Sequence, residues 1–274
     1  MAHDFDAGYG AGPWPALVAD YPEDAYPPAD FRVEWGPIFH RGRLDGSARI
    51  LVLGQDPGPH EAFVRRILVG EAGQRAQGLL TRLGIERSYV MLNTYLYSVY
   101  GQQAGERHAA DAAIAGYRHR WLDALLADGH VQAVIAFGHL ADKAFRAWQA
   151  TPAGHAYHGA YEHLTHPTQP DAAARGGTAF AVAMKAMLTN WNAALPRLHA
   201  AIAHPDAARP LVLYGDTLTA ADHSAIPAAD LPAGLPAWMT TLENWASRVG
   251  KSAEDKRANL TVVVPADLRP WRNA

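Results

Sequence analysis

Three polar side chains stand where runs of apolar residues stop. Asp56 follows the run at 50–53, Asn93 follows the run at 89–92, and His166 follows residues 161–165. A carboxylate, a carboxamide that both donates and accepts, and an imidazole are groups on which acid–base chemistry and charge stabilisation draw. Asp and Asn just past a strand are also ordinary turn formers. One of them alone means little. Three in this order, together with Gly138-His139 at another strand end, are expected to converge on one pocket.

The elements that must position them are legible. Ile50-Leu51-Val52-Leu53, closed by Gly54, has the continuous apolar character of a buried parallel strand. Tyr89-Val90-Met91-Leu92 predicts a second strand, 131–137 a third, and 161–165 a short fourth. Helices are expected over about 73–83, about 108–127, from Gly138 through Trp148, and over about 178–195. This alternation implies an α/β fold, a three-layer α/β/α arrangement with a central, mainly parallel four-stranded sheet plus a C-terminal extension. In such a sheet ligands bind beyond the carboxyl ends of the strands. Residues 1–45, rich in Gly, Pro and aromatics, predict an irregular arm, and 46–204 the α/β domain. Residues 205–274 predict an extension packed on the main sheet, with a possible strand at 211–214, a helix over 237–249 and a last strand over 260–264.

Gly54-Gln55-Asp56-Pro57 resembles motif A of the classical uracil-DNA glycosylases. Val90-Met91-Leu92-Asn93 is similar to their uracil-binding strand, and His166-Pro167-Thr168 to their motif B. Val69-Gly70-Glu71-Ala72-Gly73-Gln74 resembles a glycine-bearing stretch of the iron–sulfur branch, and 134–139 fits the superfamily's third strand. The resemblance covers about residues 48–200. It implies a monofunctional glycosylase that cleaves the N-glycosidic bond of uracil in DNA, single- or double-stranded, after base flipping. It gives Asp56 the role of orienting water and facing the sugar cation, and His166 that of a hydrogen-bond donor to uracil O2. Asn93 would read the N3–H and O4 edge, and main-chain groups of Gln55 would complete the pocket.

The departures from the family pattern carry expectations of their own. Gly58 stands where the classical enzymes have a Tyr, and Pro57-Gly58-Pro59 resembles the single-strand-selective monofunctional branch. An open space beside uracil C5 would admit some damaged bases, and Gly58→Tyr would narrow the range towards uracil. Leu68 occupies the place of a uracil-stacking Phe, with Phe63 the nearest aromatic. Motif B lacks the wedge Leu, leaving Thr168 and Gln169 to face the DNA. Arg65 and Arg66 are the expected phosphate contacts near motif A.

Composition narrows the classes. The 274 residues carry 24 basic and 27 acidic side chains, a net charge of −3, so DNA binding must rest on a local basic face. Twenty of the basic residues are Arg, which suits bidentate phosphate contacts. Cysteine is absent, which excludes disulfides, thiolate zinc sites and iron–sulfur clusters. No apolar run reaches the roughly 20 residues of a membrane helix. The acidic start at 1–6 has no hydrophobic stretch, so a cytoplasmic monomer is expected. His155 and His158, and His163 and His166, are each three apart, with His60-Glu61 in addition. Positions i and i+3 of a strand face opposite ways, so neither metal nor cofactor is expected. Gly250-Lys251-Ser252 lacks the earlier glycine of a phosphate loop. Two other readings are a catalytically silent DNA-binding relative and a metal-dependent nucleotide hydrolase.

Overall fold

The computed structural model describes residues 8–242 and 244–269. The acidic start at 1–6 and the last five residues lie outside that range. In chain order the elements are α1 (Trp14–Ala19), β1 (His40–Gly42), β2 (Ile50–Gly54), α2 (Pro59–Val64), α3 (Glu71–Arg82), β3 (Tyr89–Asn93), α4 (Gln102–His108) and α5 (Ala112–Leu126). Then come β4 (Ala133–Phe137), α6 (His139–Gln149), α7 (Pro152–His155), β5 (Ala160–Leu164), α8 (Gln169–Arg175) and α9 (Phe180–Ala201). The remainder contributes α10 (Trp238–Thr241), β6 (Ala246–Ser247), α11 (Ala253–Ala258) and β7 (Thr261–Val262).

The main sheet has the order β1-β3-β2-β4-β5. β2 pairs in parallel with both β3 and β4, and β4 with β5. β1 runs antiparallel on the edge of β3, so the sheet has five strands where the sequence predicts four. β1 is only three residues long and polar, which hides it from an apolar-run criterion. Its Arg41 is fully buried and is satisfied by Ile67 O, Gln77 Oε1, Tyr89 OH and Asp230 Oδ2.

Alternate residues of the strands build the two cores. Leu51, Leu53, Val90, Leu92, Val134 and Ala136 face α5, α6 and the N-terminal arm. Ile50, Val52, Met91, Ile135 and Phe137 face α3 and α9. Chain reversals on either side of β2 put its carboxyl end at the switch point of the sheet, where a crevice must open.

Four expected elements differ. The helix expected over about 108–127 begins only at Ala112, where Asp111 accepts from the Ala113 and Ile114 N–H groups and caps α5, and the separate helix α4 precedes it. α9 runs past Pro196, since Leu195 and Leu198 keep the same face buried. Residues 211–214 form no strand. The Asn192 carboxamide takes both backbone groups of Tyr214, at 2.8 and 2.9 Å, in place of a neighbouring strand. Among the described residues of 237–249 only α10 is helical, and β6 instead pairs with β7.

The extension is fastened to the domain by charged groups as well as apolar ones. Asp206 accepts from the backbone of Glu86, Arg87 and Ser88, and the buried Asp230 pairs with Arg41 and Arg43. Val64, Val69, Ile226, Leu231 and Trp245 form a small third core between the extension and the α2–α3 corner.

Candidate active site

Asp56 lies two residues past β2, in a stretch laced to the chain beyond β3. Thr94 N donates to Gly54 O and Tyr95 N to Gln55 O, both at 2.9 Å. The Gln55 carbonyl is part of this lacing, and its side chain holds Asp56. Gln55 Nε2 donates to Asp56 Oδ1 at 3.0 Å, and Val99 N donates to Oδ2 at 2.9 Å. Burial pushes the Asp56 carboxyl up to about 6, against the pull of these two donors and of the Arg248 charge. It therefore remains mostly ionised at neutral pH.

One carboxylate sets the shape of the loop around it. Glu61 accepts from Gly58 N at 2.8 Å through Oε2 and from Val69 N at 2.8 Å through Oε1, joining motif A to the 69–70 turn. A Cβ added at Gly58 would stand 2.8 Å from Glu61 Oε2. A side chain at position 58 would therefore leave the backbone towards this cap, not into vacant space.

Asn93 ends β3 and is buried, with its Oδ1 lying directly over Gly54. A Cβ at Gly54 would meet that oxygen at 2.4 Å, so glycine is required by close approach. Leu68 reaches the same spot, its Cδ1 3.9 Å from the position of that Cβ. Its backbone is left-handed, φ 53°, a conformation that costs a leucine about 1–3 kcal/mol.

His166 lies two residues past β5 and leans on Gly138, whose φ of 85° no other residue type adopts readily. Its Nδ1 lies 3.3 Å from Thr168 N and 3.1 Å from Thr168 Oγ1. A backbone N–H can only donate, so Nδ1 accepts and the proton sits on Nε2. Among the described residues Nε2 has no partner. Burial, with Arg75 adding to it, depresses the imidazole to about 4, so the ring is neutral at physiological pH.

Arg75, in α3, gives no signal in the sequence. It is buried, donates to Pro167 O at 2.7 Å and Asp171 Oδ2 at 2.9 Å, and pairs with Glu71. It thus clamps both sides of the His166 loop. Glu61 had a weak sequence signal, an acidic residue three positions after the Gly58 N-cap; the Val99 N–H had none.

The residues expected to meet DNA are not all presented to it. Arg65 is turned inward onto Trp35 O and, at 2.7 Å, Pro37 O. Arg66 is buried and donates to Arg65 O at 2.8 Å. Both differ from the expected phosphate contacts: an αL turn at Arg65 ends α2, the Arg65 guanidinium reaches the N-terminal arm, and Arg66 folds back onto the Arg65 carbonyl. Thr168 is committed to His166, while Gln169 is exposed at the start of α8. The histidine series does not converge. His163 faces Asp142 at 3.8 Å, and among the described residues no three His, Asp or Glu side chains group to hold a metal.

Asp56, Asn93 and His166 thus stand at the carboxyl ends of β2, β3 and β5. β2 and β5 are two strands apart in the sheet, about 10 Å at the usual strand spacing. A family model of the uracil DNA glycosylase superfamily matches residues 41–195, which include all three. The chain belongs to the uracil-DNA glycosylase superfamily. No curated protein matches it. Membership supports a DNA glycosylase, a hydrolase of DNA repair, and the absence of cysteine sets this member apart from cluster-bearing branches of the superfamily. No helix among the described residues is long and apolar enough to cross a membrane.

Proposed function

We propose that this superfamily member is a monofunctional DNA glycosylase that hydrolyses the N-glycosidic bond of uracil, leaving an abasic site, as a cytoplasmic monomer. The observation that carries the proposal is geometric: a carboxylate held by two N–H donors, a carboxamide, and an imidazole whose Nδ1 accepts and whose Nε2 carries the proton stand at the carboxyl ends of β2, β3 and β5. Breaking the bond leaves positive character on the deoxyribose and negative charge on uracil. Asp56 meets the first need by facing the cation and orienting water, held in place by Gln55 and Val99. His166 meets the second by donating Nε2–H to O2, a bond that strengthens as charge builds in the transition state. Asn93 matches the N3–H and O4 edge of uracil, and cytosine presents the reversed pattern. No lysine lies in the loops at 54–61, 93–100 and 164–169, which favours hydrolysis by water over a Schiff base.

We extend the proposal to bases altered at C5, such as 5-hydroxymethyluracil, because motif A carries no Tyr of the kind that screens C5 in the classical enzymes it resembles. The test is incubation with oligonucleotides carrying uracil or such lesions, in EDTA, followed by alkaline cutting of abasic sites. Cleavage at uracil in EDTA is expected. Intact strands would favour a silent DNA-binding relative, and cleavage only with added metal a nucleotide hydrolase.

A further inference from the structure

The family match ends at residue 195, yet the chain beyond it returns to the stretches that hold Asp56. On one side it is fastened to α2, the helix that begins three residues after Asp56. Ala246 N donates to His60 Nε2 at 3.2 Å, and Trp245 packs edge-on against the His60 ring with centroids 4.8 Å apart. On the other side Arg32 donates to Arg257 O and Lys256 O at 2.9 and 3.0 Å. The Arg257 guanidinium lies 4.5 Å from the centre of the Tyr100 ring. Tyr100 adjoins Val99, whose N–H holds the Asp56 carboxylate. The β6–α11–β7 unit therefore has a foot on each of the two stretches that hold Asp56.

Arg248, two residues past Ala246 and eight before Lys256, lies on the stretch of chain that joins those feet. It is exposed, and among the described residues no hydrogen bond or ion pair engages its guanidinium. Its near neighbour Ala246 is bonded to His60 of α2, the helix that follows Asp56, and the Arg248 charge favours the ionised Asp56 carboxylate. The backbone around it is held, since Val249 N donates to Asn259 Oδ1 at 2.9 Å and Ala246 is paired with Val262. Meanwhile the chain as a whole carries net negative charge, and Arg65 and Arg66 are spent on internal carbonyls. A phosphodiester approaching this cleft needs a local cation, and an unpaired guanidinium on a fixed hairpin at its rim is suited to that need.

We propose that the C-terminal unit is a DNA-binding element of this enzyme and that Arg248 contacts a backbone phosphate beside the nucleotide in the cleft. This rests on the glycosylase reading for the identity of the base, but the phosphate contact is testable without turnover. The experiment uses the full chain and a labelled oligonucleotide with central uracil, with binding followed by fluorescence anisotropy between 50 and 200 mM salt. Arg248→Ala is expected to weaken binding by about tenfold, as for loss of one charge-assisted hydrogen bond. It should also reduce the log–log salt slope by about 1. Arg248→Lys should restore most of both, and Lys185→Ala, an exposed cation on α9, should change neither. The loss should appear in Kd and KM more than in the single-turnover rate at saturating DNA. An Arg248→Ala protein with wild-type Kd and salt slope overturns the proposal. So does one whose only defect is a slower single-turnover rate, which would assign Arg248 to Asp56 instead. If the wild type excises no base while Arg248→Ala still loses affinity and slope, the DNA-binding inference stands and the glycosylase reading fails.

Discussion

The loop after β2 and the loop after β5 each hold one half-buried ionisable group, and loss of solvent drives both towards the neutral form. Asp56 moves up to about 6 and His166 down to about 4. Asp56 starts so far below neutrality that it stays charged at pH 7, whereas His166 starts near neutrality and is carried away from its charged form. The surroundings reinforce the difference. Two N–H donors point at the Asp56 carboxylate, while His166 accepts on Nδ1 and has a cation, Arg75, behind it. One physical cause, desolvation, thus yields a charged group for the sugar and a neutral donor for the base.

The contrast breaks most visibly at Asp56. Asp56→Asn is expected to lower kcat/KM by about 10²–10⁴, the range for a positioned acid–base group. Gln55 can turn its amide to meet the new carboxamide, so the fold should persist. The folded carboxyl titrates above its ordinary value, so its ionisation costs stability above about pH 6 and not below about pH 4. Thermal unfolding should therefore find the Asn variant at least as stable as wild type at pH 8, with that advantage fading between pH 6 and 4. Near-normal turnover would remove Asp56 from the mechanism.

His166→Ala removes one donor to the developing anion and should cost about 10²–10³ in single-turnover rate. A loss confined to substrate affinity would instead mean that His166 binds the ground state.

Arg75→Met should slow the reaction on the order of tenfold by loosening the His166 loop. It should also destabilise the fold by about 3 kcal/mol in chemical denaturation, because Glu71 and Asp171 lose their partner. Imidazole titration by NMR should show His166 moving up towards its ordinary value; an unmoved His166 would make Arg75 structural only.

For the wild type, kcat/KM should be level above pH 7 and fall about tenfold per unit below about pH 6 as Asp56 takes up a proton, His166 joining only near pH 4. A profile falling in a single two-proton step would show that the two groups titrate together.

The smallest effect is expected at Gly58. Because its Cβ would meet Glu61, Gly58→Tyr should weaken the cap by about 0.5–2 kcal/mol and slow excision of every base alike. Selective loss of the bulkier lesions in a lesion panel would restore the simpler idea of a ring filling space beside C5.

Much of this was legible beforehand. The parallel strands, the loops that end them and the order Asp56, Asn93, His166 follow from apolar runs that can be satisfied only inside a covered sheet. What stayed hidden was polar and distant. β1 escaped notice because its buried Arg41 reads as a surface residue until Asp230 arrives from the extension to pair with it. Arg65 and Arg66 look like a phosphate patch until the αL turn at Arg65 sends the first to the arm and the second folds back onto the Arg65 carbonyl.

The sequence by itself therefore determined the parallel strands and the three strand ends, since a continuous apolar run acts locally. Only the tertiary structure decided the state of the chemistry. The neutrality of His166 depends on burial and on Arg75, 92 positions from the Pro167 carbonyl that it holds, and the rim of the cleft depends on a bond between His60 and Ala246, 186 positions apart. Such contacts are set by how layers pack, and a pKa responds to the dielectric and charges that packing brings near, which no spacing along the chain encodes.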